Sequence, residues 1–217
     1  MHTPHEVLLV RHGESESNAG QVSEDAASAG LTPLGMRQAE AVAAAFDAAP
    51  ARFVVSPYRR AQLTAAPAIA RFPQVPLETW PVHEFTFLSP SGYQGTTVES
   101  RKPAVEAYWG AGDAHAVTGE GAESFAMLLA RVHDARLRLE AFEAGPIAVF
   151  SHKKFLNALL WSWLAGVPAA SSSRMRRFRE FDHALPFPNG AIVTVRFDSK
   201  GPWVGPVHTL HLEGTEA

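Results

Sequence analysis

Three short apolar runs of the sequence end in polar side chains whose types suit the handling of an anion. Arginine forms forked, charge-assisted hydrogen bonds with phosphoryl oxygens. A histidine near its usual pKa of about 6.5 is a nucleophile or a base at neutral pH. Uncompensated cations are costly inside a core, so a bound phosphate is the simplest reason to gather several of them. The residues are Arg11 and His12, Ser56 with Arg59 and Arg60, and Ser151 with His152.

An α/β sheet would bring these side chains together. Residues 6–10, 52–57 and 145–152 are apolar runs typical of strands covered on both faces. Reactive groups in open α/β sheets gather beyond the carboxyl ends of the strands. We therefore predict an α/β three-layer sandwich, with a mostly parallel central sheet and helices on both faces. If the three strands are neighbours, their polar ends meet in one patch.

The other elements follow from apolar periodicity and from capping residues. Thr32 and Pro33 suit the start of a helix. Two late strands are expected to be antiparallel at the sheet edge, and no repeat or linker divides the chain, so we predict a single domain over 1–217. The predicted helices are 31–49, 58–72 (bent or broken at Pro67), part of 100–110, 122–143 and 154–165, and the late strands are 189–197 and 204–212.

Composition excludes several classes of function. The 217-residue chain has no cysteine, which excludes disulfides, a thiolate nucleophile and a zinc–thiolate site. Its net charge of -3 offers no basic field for nucleic acid. No secretory signal is evident and the apolar segment 155–167 is too short to span a bilayer, so we expect a cytoplasmic protein without a membrane partner. His208 and His211 would face opposite sides of one strand, so no metal site is predicted.

A proton donor is also needed if an alkoxide is to leave a phosphoryl group. The stretch 75–97 is interrupted by proline and glycine and reads as a strand fragment and a long loop. Glu84, within "VHEFTF" of this loop, is the best placed carboxylic acid.

Six stretches of the chain resemble, in order, the motifs of the histidine phosphatase superfamily, which includes the cofactor-dependent phosphoglycerate mutases. Any one short motif is a weak signal, but six in sequence from residue 8 to about 197 are a strong one. Ala122 interrupts the family's Gly-Glu-Ser pattern. The matching stretches are "RHGESESN", "LTPLGMRQA", "SPYRRAQLTA", "GAESF", "VFSHKKFLNALL" and "PNGAI".

The resemblance implies a role for each matching residue. His12 would accept the phosphoryl group, Arg11 and Arg60 would clamp its oxygens, and His152 would lie across from it, donating a hydrogen bond or a positive charge. Glu84 would protonate the leaving group and then help to activate water. Ser15 and Asn18 match positions that hydrogen-bond phosphate or substrate, and Arg59 is a further candidate beside Arg60.

Lys153 and Lys154 depart from the family pattern, which has a small residue after the second histidine. Cations in the first turn of a helix oppose the macrodipole at a cost of roughly 0.3–1 kcal/mol each when exposed. A bound anion would offset this cost, so Lys153 is a candidate phosphate ligand. Two solvated surface lysines are the alternative.

The resemblance implies a phosphomonoester hydrolase that works through a phosphohistidine, without a metal or a cofactor. A mutase is the alternative, although residues 19–30 lack the Phe- and Trp-containing segment of mutases; a phosphate-binding module without turnover is another. The substrate stays open, with selectivity expected from loops 85–118 and 168–188. The basic run 174–181 is either a lid or a solvated face. The apolar helix 155–165, with Trp161 and Trp163 on opposed faces, is either deeply buried or shared in a possible homodimer.

Overall fold

The computed structural model describes residues 5–22, 24–142, 145–166 and 169–216, which form a six-stranded sheet with helices on both faces. The strands are β1 (His5–Arg11), β2 (Arg52–Val55), β3 (Leu77–Thr79), β4 (Ile147–Ser151), β5 (Ile192–Asp198) and β6 (Gly201–His208). The helices are α1 (Pro33–Ala44), α2 (Arg59–Arg71), α3 (Val98–Ala111), α4 (Phe125–Glu140), α5 (Lys153–Ala165) and α6 (Ser172–Ala184), with short 3-10 helices at Pro90–Gly92 and Leu210–Leu212.

The sheet order is β3-β2-β4-β1-β5-β6, which confirms the predicted α/β architecture. The first four strands are parallel, and β5 pairs antiparallel with both β1 and β6. The three strands that carry polar ends, β1, β4 and β2, are direct neighbours. Arg11 pairs with Ser151 and Val55 pairs with Phe150, so their carboxyl ends are level.

Alternate residues of the central strands face two separate hydrophobic clusters, which is why these strands read as continuous apolar runs. On β4, Ala148 and Phe150 pack toward α1 and α2, whereas Ile147 and Val149 pack toward the layer formed by α4, α5 and α6. This burial on both faces holds the strand ends in fixed positions.

The structure differs from the sequence predictions at Pro67 and after His208. Helix α2 runs without a break through Pro67, because its buried face packs on the sheet. The strand expected over 204–212 ends at His208, and His211 lies in a 3-10 turn where its Nε2 donates to the carbonyl of Gly190 at 2.9 Å. The basic run 174–181 belongs to α6.

Trp161 and Trp163 are each 7% exposed inside the chain. Of the two readings of the apolar helix, deep burial is therefore the one observed, and α5 offers no argument for a homodimer. No helix in the described part of the chain combines the length and the apolar character that a membrane span requires.

Candidate active site

His12 directly follows β1 and is 3% exposed. Its Nδ1 lies 2.7 Å from the carbonyl oxygen of Gly13. Because a carbonyl oxygen can only accept, Nδ1 carries the proton and Nε2 keeps a lone pair. That lone pair accepts the Nε–H of Arg60 at 3.2 Å. The ring is therefore held in the tautomer in which Nε2 can act as a nucleophile.

Arg11 and Arg60 supply the positive charge beside His12. Arg60 lies in the first turn of α2, and its Nη1 donates to the carbonyl of Ala26 at 2.7 Å. The Nη1 of Arg11 donates to the carbonyl of Phe187 at 2.5 Å, while its buried Nε has no hydrogen-bond partner among the described residues. Burial lowers the pKa of Arg11 to about 10 and also lowers the pKa of Arg60. Both groups remain cations at neutral pH.

His152, the N-cap residue of α5, is fully buried with its ring centroid 5.0 Å from that of His12. Its Nε2 lies 2.8 Å from Oγ of Ser56, and its buried Nδ1 has no partner within the described part of the chain. Burial, and secondarily the charge of Arg60, hold the pKa of both histidines well below the usual range. Both imidazoles are therefore neutral near pH 7, and His152 meets an incoming group as a neutral ring.

The backbone of Gly13 is fixed by close contacts. Its N–H donates to Oγ1 of Thr64 at 3.0 Å, and its carbonyl accepts from Nδ2 of Asn189 at 3.2 Å. A Cβ on Gly13 would lie 2.5 Å from the carbonyl oxygen of Gly35 in α1, and one on Gly35 would collide with the carbonyl of Glu14. Glycine is therefore required at both positions for the loop after β1 to rest on α1.

Glu84 approaches the site from the loop that follows β3. Its Oε1 accepts the N–H of Phe85 at 2.9 Å and the N–H of Lys154 at 3.1 Å. The carboxylate therefore occupies the N-terminal end of α5, where the helix dipole favours a negative charge. Ser151 joins this loop to β4, because its Oγ donates to the carbonyl of Val82 at 2.5 Å. The anion expected to offset the two lysines is thus a side chain of the protein itself.

A buried ion pair holds the same loop from the other side. Glu123, 5% exposed, receives Nε and Nη2 of Arg131 at 2.6 and 2.8 Å. Nη1 of Arg131 donates to the carbonyls of Pro81 and His83 at 2.5 and 3.2 Å. The pair therefore fixes the backbone immediately before Glu84.

One cavity of about 140 Å³ brings most of the expected site residues together. Ser15 and Asn18, at its wall, bond to each other, with Ser15 Oγ donating to Asn18 Oδ1 at 3.0 Å. The lining residues are Arg11, His12, Ser15, Ser17, Asn18, Asp25, Ala26, Ala29, Arg60, Glu84, Phe85, Thr86 and Tyr93.

Three of the expected site residues, His152, Arg59 and Lys153, lie outside this lining. The side chain of Arg59 is exposed, and Nζ of Lys153 lies 3.9 Å from Oδ1 of Asp182. The loops expected to set selectivity are also only partly represented. Residues 85–118 contribute Phe85, Thr86 and Tyr93, whereas the described part of 168–188 contributes none. No group of three or more histidine and acidic side chains in the described residues is arranged to hold a metal ion.

The sequence model of the histidine phosphatase superfamily (branch 1) matches residues 7–205, a span that contains every residue of the cavity. The chain belongs to the histidine phosphatase superfamily. No sequence among the curated proteins matches it significantly.

Solved structures share the histidine phosphatase fold over nearly the whole chain. A phosphoserine phosphatase mutant from Entamoeba histolytica, in complex with phosphoserine, has a TM-score of 0.73 and 23% identity, covering 96% of this chain and 99% of that one. The alpha-ribazole phosphatase from Shigella flexneri has a TM-score of 0.72 and 21% identity, covering 94% and 96%. YhfR of Bacillus stearothermophilus has a TM-score of 0.74 and 18% identity, covering 96% and 100%. At these identities the likeness establishes the fold.

Several parts of this histidine phosphatase site are not predictable from single motifs. Glu123 lies in the quoted "GAESF" stretch, but nothing in the sequence indicates that Arg131 is its partner. Asp25 and Tyr93 line the cavity from segments that show no periodicity or motif, so no local signal marks them. Asn189 lies in "PNGAI", and that motif was the available signal.

The buried histidines predict that this protein loses stability in acid. The pKa values of His12 and His152 are lowered in the folded state, whereas in the unfolded chain both histidines have the ordinary pKa of about 6.5. The unfolded state therefore binds more protons as the pH falls below about 6.5, and each such histidine removes up to about 1.4 kcal/mol of unfolding free energy per pH unit. We expect the Tm to fall between pH 7 and pH 5, and to fall less steeply in His152→Gln, which keeps a polar partner for Ser56.

The measurement is thermal unfolding by circular dichroism across this pH range, with the exposed His115→Gln as the control that keeps the native slope. A His152→Gln slope equal to the native one would show that His152 does not carry the effect.

Proposed function

We propose that this protein hydrolyses phosphomonoesters through a phosphohistidine formed on His12, without a metal ion. The observation that carries the proposal is the state of His12: a neutral imidazole whose proton bonds to Gly13 and whose Nε2 accepts from Arg60, in a cavity that Arg11 also lines. Membership of the histidine phosphatase superfamily supports it, as does the phosphatase activity of two of the structural neighbours.

In the first step the phosphoryl group would occupy the space between Arg11, Arg60 and His12. Its oxygens would take over the N–H groups of Arg60, which frees the lone pair on Nε2 of His12. Nε2 then attacks phosphorus, the bond from phosphorus to the ester oxygen breaks, and protonated Glu84 gives its proton to that oxygen. The two guanidinium groups stabilise the charge on the transferring group.

In the second step Glu84, now a carboxylate, takes a proton from water. The resulting hydroxide attacks the phosphohistidine, the bond from phosphorus to nitrogen breaks, and inorganic phosphate is released with Nε2 of His12 restored. His152 would donate a hydrogen bond to the phosphoryl group through its Nδ1, which has no other partner among the described residues. The neutral state of His152 supports a hydrogen bond rather than a full positive charge.

Replacing the nucleophile is the direct test of this proposal. His12→Ala is expected to lower phosphate release from p-nitrophenyl phosphate and alkyl phosphates by at least about a thousandfold, as for other deleted nucleophiles. The control His133→Ala, at an exposed position of α4, should keep the native rate. A chelator should leave the native rate unchanged.

Retained turnover in His12→Ala would contradict His12 as the nucleophile, and loss with chelator that added metal restores would contradict the metal-independent mechanism. Isomerisation of 3-phosphoglycerate with little phosphate release would instead identify a mutase. Phosphate binding without either reaction would identify a binding module.

Glu84 is expected to matter most for esters that leave poorly. Because p-nitrophenolate leaves without protonation, Glu84→Gln should lower kcat/KM for p-nitrophenyl phosphate less than about tenfold. For alkyl phosphates the same substitution should lower kcat/KM about a hundredfold or more. The measurement is kcat/KM for both ester types, with the exposed Glu120→Gln as the control. Equal losses for both esters would argue against Glu84 as the proton donor.

A further inference from the structure

The charges of the cavity are distributed in a way that bears on the leaving group. Among the described residues that line it, Arg11 and Arg60 are the only cations, because His12 is neutral. Asp25 adds a carboxylate to the lining, whereas Glu84 is the acid that gives up its proton in the proposed first step. Neither Arg59 nor Lys153 reaches the lining, and Lys153 already faces Asp182. The cavity can therefore match one phosphoryl dianion and has no cation left for a second anionic group.

The end of the cavity that receives the phosphoryl group is identified by its own contacts. His12 carries the nucleophilic Nε2 there, and Arg60 bonds to it. The buried Nε of Arg11 has no partner among the described residues and is a donor suited to an anion. The rest of the ester would then extend along the other lining residues, which include Asp25, Glu84, Phe85, Thr86 and Tyr93.

Asp25 is held in place by the turn that it begins. Its Oδ1 accepts the N–H of Ala27 at 2.5 Å and the N–H of Ser28 at 2.7 Å. The same turn presents the carbonyl of Ala26 to Arg60. Hydrogen bonds from Ser28, first from its side chain, lower the pKa of Asp25, so the carboxylate stays charged at neutral pH. The negative charge at this wall is thus fixed in both position and sign.

Tyr93 bounds the cavity without adding charge. The guanidinium of Arg101 lies 4.5 Å from the centre of its ring and bonds to the carbonyl and Oγ1 of Thr96. Burial raises the pKa of Tyr93, which keeps its hydroxyl neutral. A leaving group therefore meets the carboxylate of Asp25, apolar groups and neutral hydroxyls, and no further lining cation.

We infer that Asp25 is a specificity-determining residue that selects phosphomonoesters of neutral or ammonium-bearing alcohols against those whose leaving group carries a carboxylate or a second phosphate. This inference rests on the proposed function, since it assigns the ester to the cavity of His12. An ammonium group gains attraction from the carboxylate of Asp25, and a neutral hydroxyl is tolerated. A second anionic group would lie near the carboxylate of Asp25 with no lining cation left to offset its charge, so its binding is disfavoured.

Three phosphonates with the same two-carbon spacer test the inference without depending on turnover. Aminoethyl-, hydroxyethyl- and carboxyethylphosphonate carry a phosphorus–carbon bond, so calorimetry reports their dissociation constants directly. We expect the native protein to bind the carboxyethyl compound at least about tenfold more weakly than the aminoethyl compound, with the hydroxyethyl compound between them.

Asp25→Asn removes the charge while its amide oxygen can still accept the N–H groups of Ala27 and Ser28. In this variant the ratio of the dissociation constants of the carboxyethyl and aminoethyl compounds should decrease at least about threefold. The dissociation constant of the hydroxyethyl compound should change less than about twofold. The matched control is Asp198→Asn. This substitution removes the same charge from a similar turn, in which Oδ1 of Asp198 accepts the N–H of Lys200. Asp198 lies at the opposite end of the sheet from His12.

Equal affinities for the three compounds in the native protein, or no measurable binding of the aminoethyl compound, would overturn the inference. A ratio that is the same in native, Asp25→Asn and Asp198→Asn proteins would overturn the role of Asp25. Hydrolysis of p-nitrophenyl phosphate, measured on the same samples, reports separately on the proposed function.

Discussion

The hydrogen bond from Nδ1 of His12 to the carbonyl of Gly13 determines which nitrogen of the ring faces the cavity. It depends on the backbone after β1 staying where Thr64 and Asn189 hold it. The close approach of Gly13 to Gly35 rests this backbone on α1. A side chain at either glycine would displace the loop and with it the lone pair on Nε2. Nε2 of His12 is thus positioned by backbone contacts to α1, to α2 and to the segment before β5.

The electrostatics of the site follow from the burial of arginine and histidine side chains next to one another. Burial keeps His12 and His152 neutral, and the nearby charge of Arg60 opposes their protonation further. This arrangement leaves positive charge on the guanidinium groups alone, which is where a phosphoryl group needs it, and leaves the imidazoles free to attack or to donate. Glu84 lines the same cavity from another direction. It is held there by the N-terminus of α5 and by the loop that Arg131 supports.

The sheet and the strand-end residues were predictable because each depends on local sequence. An apolar run that ends in Arg11 and His12 predicts both a buried strand and a reactive end, and β2 and β4 follow the same rule. Asp25 and Arg131 could not be predicted, since their roles depend on which distant backbone groups meet them. Arg59 and Lys153 lie next to motif residues, but the side chain of Arg59 is exposed and that of Lys153 lies near Asp182. Sequence distance alone does not distinguish these from Arg60.

The most direct test of the account is to look for the phosphoryl group on the protein during turnover. Native protein mixed rapidly with p-nitrophenyl phosphate is quenched in alkali, because phosphohistidine is labile in acid, and its peptides are mapped by mass spectrometry. The account predicts a phosphoryl group on His12 that forms and decays at rates compatible with turnover. Phosphate release without a phosphorylated protein, or a label on another residue that persists in His12→Ala, would contradict it.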